Sequence, residues 1–364
     1  MTAVARSWLG GALLGSALLA VVLAVVAAYG WQVAAAPTET KVEYFLINVV
    51  FVVALQVFSG NSGILSFGQM AFAGVGAYTA SILTIDPLLK PTLLPGLPHG
   101  LETAHVSFVA ATLIAGAVAG LFAVVTGLAI LRLDGASAVI AILSLLLIAD
   151  VIFDAWIGVT RGAGGLYAIP DESRLGRLLA AAIVTVVVAR VFKDSRSGLL
   201  LRGSREDAFS AASVGVPVRE YRMLAWVLSG ILSGVAGALL AFWLGTISPT
   251  NFFLAPTFAI VVMLIVGGMG TVTGAVAGAG IVTLVQELVR PHEDDRLDLG
   301  VVTFHRLTGL TQLVLVALIL VVMYVQREGL FSRRELDEIL FGRRRAATVP
   351  APDEPPRLTR SRDR

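Results

Sequence analysis

Two clusters of residues in this 364-residue chain have types and spacings that could do chemistry. The first is a run of small polar side chains, Asn61, Ser62, Ser66 and Gln69, interleaved with Gly60, Gly63 and Gly68 between two apolar runs. Amides and hydroxyls there, with backbone groups freed by the glycines, suit a path for a small zwitterionic solute. Gly267-Gly268 and Gly270-Thr271 repeat the arrangement in the second half, which adds Gly268 and Thr271 to the candidates. The other role open to glycines is close helix packing. The small-xxx-small spacings at Gly11/Gly15, Gly116/Gly120, Gly230/Gly234 and Gly274/Gly278 suit that role.

The second cluster lies in the connection 194–219. Ser204 is placed to cap a helix, with Asp207 at the third helical position to close a capping box. Phe209, Ala212 and Val214 give that helix an apolar side, and Gly215 followed by Pro217 stops it. The spacing predicts a helix of about ten residues, within 203–216, too short to cross a membrane. Such a helix either seats in a groove of a soluble partner or lies on the membrane as an amphipathic connector.

The chemistry that is missing narrows the function. There is no cysteine, hence no disulfide, thiolate nucleophile or cysteine metal site. His99, His105, His292 and His305 fall in polar connections, and none has a partner at the helical spacing of a metal site. No G-x-x-x-x-G-K-[ST] loop is present to cradle phosphates. Asp150, Asp154, Glu287 and Arg290 sit near span ends, so nothing deep in a span is placed to relay a proton. No catalytic triad, metal cluster or paired carboxylate suggests an enzyme. The chain is expected to bind no cofactor and no metal, and to take its energy from another chain.

Composition dictates what must hold these residues in place. The chain is 57% hydrophobic and 14% charged, with a mean hydropathy of +0.85. A soluble domain carries roughly 25% charged residues, so this surface must face lipid. A net charge of +2 gives no reason to expect nucleic acid as a partner. Apolar runs predict ten spans, at 8–29, 43–58, 70–86, 106–131, 136–153, 178–193, 220–243, 254–268, 272–290 and 308–326. Each must be helical, because lipid offers no water to unpaired backbone groups. The fold expected is an all-α polytopic protein of the cell membrane. The run from Trp8 to Tyr29 is long enough to span and longer than a signal-peptide core, so it reads as a retained first helix.

Ten spans put both termini on one side, and the positive-inside rule says which. With cytoplasmic termini, the inside segments carry 19 of the 27 Lys and Arg residues. The membrane-spanning body is expected to end at 329. The tail 330–364 begins with an amphipathic stretch, Arg333 to Leu340, and becomes Arg/Pro-rich, which reads as a solvated, largely disordered segment whose arginines face anionic lipid or simply fix orientation.

Several blocks resemble the membrane subunits of ATP-binding-cassette importers. Glu206-Asp207-Ala208, Ala211-Ala212 and Gly215 are similar to the coupling-loop signature of those permeases. More closely, the chain resembles the M-type permease of the high-affinity leucine/isoleucine/valine family. Gly60 to Tyr78 is similar to that family's Gly/Ser/Phe-rich block, Thr160 to Pro170 to its outer Gly-rich segment, and Ser248-Pro249 with Gly267 to Gly278 to a third motif. Arg161 stands where the family usually has Gly, and Gly164 where Asn is common. The blocks span roughly residues 44–325 in family order. The resemblance implies a permease subunit that imports branched-chain amino acids. It implies coupling residues Arg205, Glu206, Asp207, Ala211 and Gly215, and places Tyr78 with the path residues. It also implies separate ATPase subunits that use the ATP, a second permease (H-type or a copy of this chain) and an extracytoplasmic solute-binding protein. Urea, short amides, ribose or nucleosides are alternative solutes. An ATP-independent carrier or channel is the alternative class.

Overall fold

Apolar side chains every few residues, with no water to satisfy the backbone, leave the helix as the available element. The computed structural model describes residues 3–32, 36–172, 174–294, 297–298, 303–304, 309–326, 329–331 and 335–341. The long helices of the first half are α1 (Ala3–Gln32), α2 (Ala36–Ser62) and α3 (Gln69–Thr84). The one-turn pieces α4 (Lys90–Leu93) and α5 (His99–Glu102) follow, then α6 (Phe108–Ile130), α7 (Gly135–Ala155) and the short α8 (Ile157–Thr160). The second half holds α9 (Leu175–Asp194), α10 (Arg196–Gly203), α11 (Ala208–Ser213) and α12 (Val218–Leu244). It ends with α13 (Leu254–Gly267), α14 (Val272–Asp294), α15 (Leu310–Val325) and α16 (Leu336–Phe341). Among the described residues the one sheet is a two-residue antiparallel pair, Leu297–Asp298 with Thr303–Phe304. All ten expected spans are helices, and eight are long and apolar enough to cross a membrane. The other two, α3 and α15, have 16 residues each, about 24 Å at 1.5 Å per residue.

The span expected at 43–58 is the inner part of a longer helix and the centre of the molecule. From Leu46 to Phe58 nearly every α2 side chain is buried, whichever way it points. A helix apolar all round belongs in a core rather than at a lipid face. Helices α9, α12, α13 and α14 pack around it. By contrast α6, α7 and α15 keep apolar side chains such as Leu121, Ile148 and Leu320 exposed. Those faces suit lipid or another apolar chain.

The glycine spacings make the close helix crossings. A Cβ on Gly237 would overlap the Ala73 carbonyl, and one on Gly76 would overlap the Gly234 backbone, so α12 and α3 touch backbone to backbone. Gly116 and Gly120 of α6 receive Val235 and Ile231 of α12, while Gly230 and Gly234 receive Ala123 and Ala119. Gly274 and Gly278 fit Gly267 on α13. The pair Gly11/Gly15 differs: nothing lies over Gly11, and the Arg190 guanidinium lies over Gly15.

The connections sort into two ends, in the alternation the ten spans require. At one end Leu166 bridges Ile247, the Gly96 amide donates to the Gly158 carbonyl at 3.0 Å, and Lys90 is buried with its ammonium on the Leu101 and Ala104 carbonyls. At the other end Arg222 pairs with Asp134, Arg202 donates to the Lys193 carbonyl, and the break after Gly267 meets Gly60.

The segment after 328 is seated at that second end. Glu335 is 5% exposed. Its carboxylate pairs with Arg190 at 2.8 Å and with Lys193. It also accepts from the Val272 and Thr273 amides at 3.0 and 3.1 Å and from the Thr273 hydroxyl at 2.6 Å, capping the first turn of α14. Asp337 adds a second carboxylate on Arg190 at 2.9 Å. Upstream, the Leu330 and Phe331 amides donate to the Val266 and Gly267 carbonyls at the end of α13. The solvated tail expected from 330 is not what the described residues 335–341 form, because two buried cations and a helix N-terminus hold the carboxylates of Glu335 and Asp337. Residues 342–364, with the Arg/Pro-rich part, lie outside the described residues.

Candidate functional site

The polar run after Ser59 forms a break in the membrane body. Helix α2 stops at Ser62, Gly63 turns the chain with a φ of +75°, and α3 starts at Gln69. The Ser66 amide donates to Ser59 Oγ at 3.1 Å, which folds the loop back toward α2. Ser233 donates to Gln69 Oε1 at 2.8 Å. Ser233 lies near the middle of the 27-residue α12, about 22 Å along it from Val218. The chain therefore leaves α2 at its C-terminal end and re-enters helix level with the middle of α12. Six non-helical residues at that level are tolerated only where protein or a cavity surrounds them.

The path candidates Asn61, Ser62, Ser66, Gln69, Tyr78 and Thr271 are all buried. Asn61 Nδ2 donates to the Val57 carbonyl at 2.9 Å, while its Oδ1 has no hydrogen-bond partner among the described residues. The same holds for the Tyr78 hydroxyl, which sits higher on α3 against Phe153 and Phe252, and for both amide atoms of Gln56. Reading the sequence missed Gln56, a lone amide in an apolar run whose position gave the only signal. Gly268 has a φ of +108° and ends α13. Thr271 caps the next turn, accepting from the Gly274 amide at 2.9 Å and donating to the Phe331 carbonyl. The two glycine-rich breaks meet: a Cβ on Gly60 would overlap the Met269 carbonyl. Tyr78 stands apart from that meeting point.

The charged cluster departs from its expected form. One ten-residue helix capped by Ser204 was predicted. Instead α10 and α11 are separate, and Asp207 is the cap of the six-residue α11. Asp207 Oδ1 accepts from the Phe209 and Ser210 amides at 2.9 and 3.0 Å. The Ser204 hydroxyl is already spent on the Leu201 carbonyl at 2.7 Å, at the end of α10. The Ser210 hydroxyl, with the Ser210 and Phe209 amides, holds the Asp207 carboxyl below its usual range. Gly215 closes α11 as expected. Its φ is +84°, its amide donates to the Ala212 carbonyl, and the Val216 amide reaches the Ala211 carbonyl. That pair of bonds is a Schellman stop. Glu206, Phe209 and Val214 stand exposed on this knob. Arg205 is the link inward: its guanidinium donates to the Gly60 carbonyl at 3.2 Å and its stem covers Gly63.

The exposed knob is thus tied through Arg205 to the buried, glycine-lined break. Among the described residues no group of His, Asp and Glu could hold a metal. The family described as "Branched-chain amino acid transport system / permease component" matches residues 42–323. The chain belongs to this family. This permease is 25% identical over 305 residues to a Methanocaldococcus jannaschii protein named probable branched-chain amino acid transport permease protein LivH, covering 79% of this chain and 90% of that one. It is also 25% identical over 280 residues to the high-affinity branched-chain amino acid transport system permease protein LivM of Escherichia coli, covering 67% and 62%. The LivM of Salmonella typhimurium is 24% identical over the same length and shares. No solved structure matches the chain. The permease is thus a multi-pass membrane protein and a transport subunit.

Proposed function

We propose that this permease is one of two membrane subunits of an ATP-binding-cassette importer that brings branched-chain amino acids, or closely related small solutes, into the cell. Separate ATPase subunits use the ATP. A second permease, H-type or a copy of this chain, completes the pore, and an extracytoplasmic binding protein delivers the solute. The observation that carries this reading is the Asp207-capped, Gly215-stopped knob joined through Arg205 to the break at Gly60–Gln69. An ATPase that moves the knob moves Arg205, and with it the loop between α2 and α3. The unpartnered polar atoms of Gln56, Asn61 and Tyr78 support a polar route beside that loop. A buried donor or acceptor left unpaired costs roughly 1–3 kcal/mol, a cost that a polar guest offsets.

Two substitutions test the coupling. Gly215→Pro replaces a φ of +84° by one fixed near −65° and deletes the amide bonded to Ala212. Glu206→Lys reverses an exposed charge on the knob. Both variants are expected in the membrane at normal amounts, with ATP-driven uptake reduced at least tenfold. Uptake at the normal rate in both would overturn the assignment.

The orientation has its own test, which the absence of native cysteine makes clean. A single cysteine placed at 160–165 is expected to react with a membrane-impermeant thiol reagent added to intact cells. One placed at 207–213 is expected to react only after the cells are opened. The reverse pattern would place both termini outside.

A further inference from the structure

Helices α2, α12, α13 and α14, with the starts of α3 and α15, line a half-open cavity of about 410 Å³. Its size falls in the range of small-molecule sites. Glu287 and Arg290 stand one helical turn apart at its rim, on the last turns of α14. Its deep wall is apolar, at Phe51, Met70, Ile260 and Met263. Met70 is the neighbour of Gln69, so the cavity ends beside the break where α3 begins. Tyr44 and Trp243, stacked with centroids 5.4 Å apart, line one side.

The polar groups of this cavity are held short of full use. Glu287 lies 3.3 Å from the Lys41 ammonium and 3.5 Å from the Arg290 guanidinium. The Arg290 side chain is 72% exposed and keeps room for a second carboxylate. Gln286 also lines the cavity, and its Oε1 is buried without a hydrogen-bond partner among the described residues. An orphan acceptor in a confined site calls for a donor. An aliphatic α-amino acid brings the complementary set: a carboxylate, an ammonium with three donors and an apolar side chain.

We propose that this cavity is the outer half of the solute path and binds an aliphatic α-amino acid as its zwitterion. Arg290 takes the carboxylate, Glu287 and the Gln286 carbonyl oxygen take the ammonium, and the side chain points down toward Phe51, Ile260 and Met263. This assignment rests on the importer reading and gives that reading its specificity residues.

The test uses the complete complex, with ATPase, second permease and binding protein, in proteoliposomes. L-leucine uptake and ATP hydrolysis are measured together at saturating leucine-loaded binding protein. Arg290→Gln, Glu287→Gln and the cavity-filling Ala259→Trp are each expected to lower leucine moved per ATP at least tenfold, with binding-protein-stimulated hydrolysis within twofold of the parent complex. An unchanged leucine-to-ATP ratio in all three would overturn the proposal while leaving the importer reading intact. So would a parallel loss of hydrolysis and uptake, which would make these residues part of assembly. A parent complex that hydrolyses ATP but moves no amino acid would fail the importer reading itself.

Discussion

Glu335→Gln lowers the stability of the folded permease by about 3–5 kcal/mol, the cost of leaving a buried ion without its partner. Arg190 and Lys193 are both nearly buried, at 2% and 3% exposure. Arg190 retains Asp337 at 2.9 Å and Asp194 at 4.0 Å. Lys193 has Glu335 as its one carboxylate partner among the described residues. The substitution also weakens the cap on the first turn of α14. Thermal unfolding in mild detergent, followed by tryptophan fluorescence, reads the effect. An unchanged midpoint would mean that the carboxylate is replaceable there. The pH dependence has a definite sign. Burial pushes the Glu335 carboxyl up, but Lys193 and Arg190, with hydrogen bonds from Lys193 and Thr273, overcome it and bring it down to about 2 from 4.5. Its contribution is therefore complete above pH 4.5 and is lost as pH falls through about 2. The parent protein loses stability across that window, and the part due to Glu335 is absent from Glu335→Gln.

Gly237→Ala is expected to be one of the most damaging single-methyl additions among the described glycines. The added Cβ would overlap the Ala73 carbonyl, which is backbone of the buried α3 and has no rotamer to give. Separating α12 from α3 also opens the Gly76–Gly234 crossing and pulls at the Ser233–Gln69 bond. A loss of about 3 kcal/mol, the upper end for overpacking, follows. Gly176→Ala is the control. Nothing lies within 4 Å of its Cβ position, and its helical setting favours alanine by up to about 1 kcal/mol. Equal yields and midpoints for the two variants would contradict the backbone-to-backbone crossing.

The spans were legible because lipid leaves a chain few choices, and each expected run became a helix. Their ends were less so. Helix α2 begins at Ala36, through Glu39, Lys41 and Glu43, because charges at a span end need not interrupt a helix. The stop at Gly215 was readable, since a glycine with left-handed backbone before a proline is a local signal. The start of α11 was not. Ser204 and Asp207 are both good caps, and the choice fell on Asp207 once α10 had claimed the Ser204 hydroxyl. What could not be read at all is long-range. Glu335 looks like a tail residue until Lys193, 142 positions away, is seen to be its partner. Likewise the level at which α3 starts depends on Ser233, 164 positions from Gln69. The polar run at Asn61–Gln69 was found from composition, but its neighbour Gln56 and the cavity under Glu287 and Arg290 needed the packing of several helices.

The central claim is that this permease works as the membrane part of a larger, ATP-driven importer. Its most direct test is affinity purification of the tagged full chain from native membranes in mild detergent, with identification of what co-purifies. The account predicts an ATP-binding-cassette ATPase and a second permease, retained by the parent chain and losing the ATPase in Glu206→Lys. Recovery of the chain alone, still moving solute in ATP-free vesicles, would contradict it and identify a self-sufficient carrier.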